Sequence, residues 1–156
     1  MEDPKKEVSE VQSERGRIIS NFAFLEMIIS QFIANHYSSI TKTKFIEEVL
    51  EDEFFSFELK KRLFRKILKN YFKEIENKFP NKEFSRMQTI RNIIAHGVIQ
   101  ANQDDIKNPK KALNVRFRHG GKDYPARELL NEYFDLKVIV QKAIEGLPNI
   151  KVRVVF

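Results

Sequence analysis

The stretch Thr89-Ile90-Arg91-Asn92-Ile93-Ile94-Ala95-His96-Gly97 holds the residue types of this chain best suited to chemistry. Asn92 and His96 are four apart, so a helix stacks them on one face. Ser85, Gln88 and Thr89 extend that face into a polar stripe on an otherwise apolar segment. Arg91 lies about 100° round from Asn92, near enough for its long side chain to reach over. Gly97 can end the helix just beyond His96, where the helix dipole favours positive charge.

An arginine, an amide and a histidine together suit phosphate chemistry. Arginine offers a planar fork that grips phosphate bidentately and stabilises charge gained in a transition state. Histidine is the side chain best placed to move protons near neutral pH. Asparagine can orient the imidazole, or bond a phosphate or nucleotide oxygen. RNA brings its own nucleophile, the 2′-hydroxyl. A base for its proton, an acid for the departing 5′-oxygen and a clamp on the phosphate then suffice without a metal. One histidine fills only one of those roles at a time. A two-fold dimer that faces two such helices supplies two of each residue, so the motif makes most sense in a homodimer.

The charge pattern points the same way. The 156 residues carry 28 Lys+Arg and 22 Asp+Glu, net +6. That total hides a gradient: residues 1–57 are net −5, residues 58–122 are net +11, and the remainder is neutral. A concentrated basic block suits a polyanionic partner, and the Arg91–His96 motif lies inside it. Within it, Lys60, Lys61, Arg62, Arg65, Lys66 and Lys69 can track a phosphate backbone, or form a solvated helix face. Arg116, Arg118 and Lys122 can widen the footprint.

Arg91-Asn92-Ile93-Ile94-Ala95-His96 resembles the motif of the HEPN superfamily: an arginine, a polar residue, a short spacer, then histidine. The segment Asn21-Phe22-Ala23-Phe24-Leu25-Glu26 is similar to first helices of that family, where a polar residue can approach the site. The resemblance implies an all-helical bundle, often a metal-independent endoribonuclease of toxin–antitoxin, phage-defence or RNA-processing systems. Two motif helices then face each other across a homodimer. Arg91 would hold the scissile phosphate, His96 would act as general acid or base, and Asn92 would support it, with Glu26 and Gln88 as further support. The RNA ends would bear a 2′,3′-cyclic phosphate, no cofactor or metal would be needed, and an antitoxin protein would be a partner of a toxin. Many relatives keep the fold as a non-catalytic module that binds RNA or protein. A structural dimer within a larger assembly is a third reading.

The elements that must position this motif are mainly helical. No glycine or proline lies between Arg17 and Phe79, which favours helices there. Residues 1–11 read as a flexible tail and 12–156 as a single helical domain. A first helix runs from about Gln12 to His36–Ser39 on Ile18, Phe22, Leu25, Ile28, Ile29, Phe32 and Ile33. Ser9 and Gln12 have the spacing of a capping box. A short acidic helix from Lys44 to about Glu53 follows, with Thr43 as its cap and Phe45, Ile46, Val49 and Leu50 inward. One long helix then reaches Lys78 on Leu59, Leu63, Phe64, Ile67, Leu68, Phe72 and Ile75. The motif helix covers about 82–98. A loop over 101–112 leads to a β-hairpin over about 113–124, turning at His119-Gly120-Gly121-Lys122. A last helix, Ala126 to Glu145, lies between Pro125 and Gly146. Alternation over 150–156 predicts a C-terminal strand that adds to the hairpin. The expected fold is thus a HEPN-like bundle of four to five helices with a small β appendage.

Composition excludes much else. The absence of cysteine removes disulfides, thiolate zinc sites and thiol nucleophiles. Three scattered histidines make no zinc constellation. Glu47, Glu48, Glu51, Asp52 and Glu53 read as solvated, since hard-metal sites need oxygens from several elements. The fourteen phenylalanines, mostly at helical spacing, read as core or dimer interface. No apolar run approaches the roughly 20 residues that span a bilayer, and the charged start has no signal-peptide core. A soluble cytoplasmic protein without membrane contact is expected.

Overall fold

The computed structural model describes residues 4–37, 45–46, 50–51, 56–101 and 115–148. The chain is mainly helical with a small three-stranded antiparallel sheet. Its helices are α1 (Pro4–Tyr37), α2 (Phe57–Tyr71), α3 (Lys73–Lys78), α4 (Asn81–His96) and α5 (Ala126–Glu145). Its strands are β1 (Val98–Ala101), β2 (Val115–His119) and β3 (Lys122–Pro125), in the order β1-β2-β3. The residues group into two compact units, 1–20 with 81–139 and 21–80 with 140–156.

In the first unit, α1 begins at Pro4 and not near Gln12. Proline is pre-set for a first helical turn, and Val11 is buried, so helix replaces the expected tail. Ser9 is therefore inside the helix and caps nothing. Gly16 is exposed with open space around it, which keeps its cost to the ordinary helical penalty, about 1 kcal/mol.

The core of this unit is lined by Ile18, Phe84, Met87, Ile90, Ile93, Ile94, Phe117, Leu129, Leu130 and Tyr133, all nearly inaccessible. Arg86 grips Glu132 with Nε and Nη2, at 2.6 and 2.7 Å, joining α4 to α5. The Arg17 guanidinium lies 4.4 Å from the centre of the Phe134 ring, within cation–π range.

The sheet differs from expectation in its third strand. β1 follows α4 directly and pairs with β2, Val98 opposite Arg118. The anticipated strand over 150–156 lies outside the described residues. The hairpin turn is as expected. Gly120 and Gly121 have φ of 57° and 76°, the double positive φ that a two-residue type I′ turn requires and glycine supplies freely.

In the second unit, the buried stripe of α1 is Phe22, Leu25, Ile28, Ile29, Phe32 and Ile33. Phe32 packs edge-on to Phe64 at 5.4 Å, and Phe64 to Phe79 at 5.2 Å, so these rings are core. His36 sits among Tyr37 and Tyr71. Ser56 caps α2, its hydroxyl accepting from the Leu59 N–H at 3.4 Å.

The single long helix expected here is two. Phe72, at φ −136° and ψ 52°, separates α2 from α3. Its own N–H still reaches the Leu68 carbonyl at 2.8 Å, and its ring lies 5.9 Å from that of Phe32. Leu50 is fully buried, as expected. The Glu51 N–H bonds to the Ile46 carbonyl at 2.8 Å, a π-type i to i−5 spacing. Thr43, Val49, Glu47, Glu48, Asp52 and Glu53 lie outside the described residues.

Helix α1 also revises the hydropathy reading. By length and composition alone, Lys6–Tyr37 is long and apolar enough to cross a membrane, and half of its most apolar window is buried in the protein.

Candidate functional site

Arg91, Asn92 and His96 sit on the last turns of α4, in the first unit. The helix forms there because Ile90, Ile93 and Ile94 bury one face. Arg91 Nη1 donates to Asn92 Oδ1 at 3.0 Å. That bond makes the amide oxygen a clamp on the guanidinium. Arg91 and Asn92 are half-buried, and His96, the last residue of the helix, is exposed. Gln88 is half-buried one turn before Asn92. The Thr89 hydroxyl turns back to the Ser85 carbonyl at 3.1 Å and so is partly withdrawn from the polar stripe.

Gly97 ends α4 for a packing reason. Its N–H bonds to the Ile93 carbonyl at 2.7 Å. A Cβ there would collide with the Ile93 carbonyl oxygen and lie 3.3 Å from the Phe117 Cβ. Glycine therefore lets the chain turn from helix to β1 flush against β2.

Two residues outside the motif reach it. Arg15 of α1 donates from Nη2 to the Ala95 carbonyl at 2.7 Å. It satisfies a C-terminal carbonyl of α4 with a cation, which the helix dipole favours. No local pattern around Arg15 flags this long-range bond. His119, at the end of β2, has its ring centre 6.5 Å from that of His96, with the rings tilted by 32°. Its signal was legible: Val115, Phe117 and His119 alternate along a strand, so they share one face.

Tyr133 of α5 is buried, and its hydroxyl donates to the Ile18 carbonyl at a long 3.5 Å. Burial pushes its phenol above the ordinary range near 10, while the Arg91 charge pulls it down. Above that ordinary value the unfolded chain loses the proton and the folded one keeps it, so stability falls as pH rises. Tyr133→Phe is expected to lose less melting temperature than the parent protein between pH 8 and pH 11. Equal losses in the two proteins would contradict this.

The other proposed site residues belong to the second unit. Lys60 does not face solvent. It is 6% exposed and donates from Nζ to Glu26 Oε1 at 2.6 Å. The ion pair occupies both, so Lys60 is withdrawn from any phosphate and Glu26 is engaged as its counter-charge. A buried lysine needs such a partner, and the pair shifts the buried stripe of α2 to Lys60, Phe64, Ile67 and Leu68, leaving Leu59 40% exposed.

Lys61, Arg62, Arg65, Lys66 and Lys69 line one groove of about 340 Å3 together with Glu58 and Glu76. Glu58 takes the Lys61 ammonium at 2.8 Å. Arg62, Arg65, Lys66 and Lys69 are exposed. On the hairpin, Arg116 approaches Asp123 at 3.7 Å, and Arg118 and Lys122 are exposed. Among the described residues no three His, Asp or Glu side chains cluster as metal ligands would.

No protein-family model, curated protein or solved structure matches this chain.

Proposed function

We propose that this chain is a metal-independent endoribonuclease of HEPN type, acting as a toxin or defence effector and pairing two-fold through its motif helices. The observation that carries this reading is a clamped arginine beside an exposed histidine at one helix end. The planar guanidinium of Arg91 is a fork of the kind that binds the non-bridging oxygens of a phosphodiester. His96 exchanges a proton with the 2′-hydroxyl or the 5′-oxygen. The 2′-oxygen bonds to phosphorus as the bond to the 5′-oxygen breaks. The products are a 2′,3′-cyclic phosphate and a free 5′-hydroxyl. The test is cleavage of labelled single-stranded RNA by purified protein in EDTA, with the ends identified chemically. Failure to cleave any RNA, or activity that requires a divalent metal, would defeat the reading.

The groove on α2 supports a second reading, a non-catalytic module that holds RNA by its backbone. Four exposed cations along one helix suit phosphate contacts. Replacing Arg62, Arg65, Lys66 and Lys69 by glutamate is expected to weaken RNA binding at least tenfold and to flatten its salt dependence. Binding unchanged at every salt concentration would make this face a solvated surface only.

A further inference from the structure

We propose that His119 is a second acid–base group, so that one protomer presents two imidazoles, His96 and His119, to a single phosphodiester. This deepens the ribonuclease reading and rests on it.

The placement follows from the backbone. β1 leaves α4 at Gly97 and pairs with β2, with Val98 opposite Arg118. Extending that register by one residue sets Gly97 opposite His119, so His96 and His119 flank the same corner of the sheet. On β2, Val115 and Phe117 are buried on the face that meets α4. His119 follows them on that face by the two-residue period. Arg116 and Arg118 point to the opposite face, which Asp123 shares through its contact with Arg116. The backbone of His119 is fixed by its pairing with Lys122, and the Gly120–Gly121 turn begins at the next residue.

Two rings 6.5 Å apart can each hold a different oxygen of one phosphate at about 2.6–3.2 Å. Their charged neighbours are mainly cationic. Arg15 of α1 lies on the Ala95 carbonyl beside His96, and Lys122 is the partner of His119 across the turn. Asp123 of β3 pairs with Arg116. An anion between the histidines is thus favoured.

The proton balance then closes within one chain. One imidazole, neutral at the start, takes the 2′-hydroxyl proton as the 2′-oxygen bonds to phosphorus. The other, protonated at the start, gives its proton to the 5′-oxygen as that bond breaks. Proton exchange with water restores both. The pair supplies what the motif alone would need a second protomer to provide.

His119→Ala and His119→Asn are tested on labelled RNA in EDTA from pH 4.5 to 9. The expected result is a kcat loss of about 10²-fold or more with little change in KM. The bell-shaped pH profile should also lose one limb, which a merely structural role would not remove. Circular dichroism checks that each variant is folded. Cleavage within threefold of the parent protein, with both limbs present, would overturn the proposal. So would activity restored by zinc after EDTA removal, which would make the pair a metal site.

If the parent protein cleaves no RNA, the ribonuclease reading fails by itself, and the pairing is judged by imidazole NMR signals during titration with inorganic phosphate. Both histidines responding with one shared Kd supports a joint phosphate site. Only one responding, or neither, overturns it.

Discussion

His96→Ala is expected to reduce RNA cleavage by about 10²–10⁴-fold, the usual worth of a positioned acid or base, without unfolding the protein. His96 is exposed at the end of α4, so its truncation opens no cavity. Surface changes of that kind stay within about 0.5 kcal/mol. The melting temperature should therefore hold while the rate collapses. Arg91→Lys is the companion change. It keeps the charge but loses the planar fork that Asn92 holds, and lysine is not an equivalent phosphate clamp. The measurement is single-turnover cleavage in EDTA by protein freed of contaminating nucleases. Cleavage that survives His96→Ala at the parent rate would remove the catalytic assignment.

Gly97→Ala is expected to destabilise the first unit by about 1–3 kcal/mol, the range for overpacking. The added carbon meets the Ile93 carbonyl oxygen, which is backbone, and the Phe117 Cβ at 3.3 Å. Neither is the free end of a flexible side chain, so the strand must move. The Gly97 N–H bond to Ile93 closes the last turn of α4. Moving it shifts His96 against His119 as well, and a small misplacement of reacting groups can cost 10²-fold in rate. Chemical denaturation, read beside cleavage, checks both effects. Unchanged stability would show that β1 yields freely at this position.

The elements most legible in the sequence were those with punctuation. Pro125 and Gly146 bracket a helix that runs from Ala126 to Glu145 as read from the residues. Gly120-Gly121 announced its turn. The break at Phe72 carries no glycine or proline, so periodicity alone runs one helix through it. β1 is four residues long and follows a helix with only Gly97 between, so it reads as the end of that helix. For the site, residue types and spacing located Arg91, Asn92 and His96. They did not reveal that Asn92 would clamp Arg91, because a helix lets neighbours and i+4 partners compete for the same amide. Lys60 was misread for a related reason. A charged residue in a basic run faces water by default, and only a counter-charge elsewhere, here Glu26 at 2.6 Å, allows it to turn in. The Arg15 bond to Ala95 and the approach of His119 to His96 are contacts distant in sequence, which single-chain periodicity does not contain.

The way the two units divide the chain has a consequence for biosynthesis. Neither is a continuous stretch: one needs residues 1–20 and 81–139, the other 21–80 and 140–156. During translation the first twenty residues must wait for some sixty more before their partners begin to emerge. The segment 21–80 cannot be completed until residues after 139 have left the ribosome. Domains made of contiguous sequence can fold in turn as they appear. Each unit here instead waits on pairings distant in sequence and therefore slow to form.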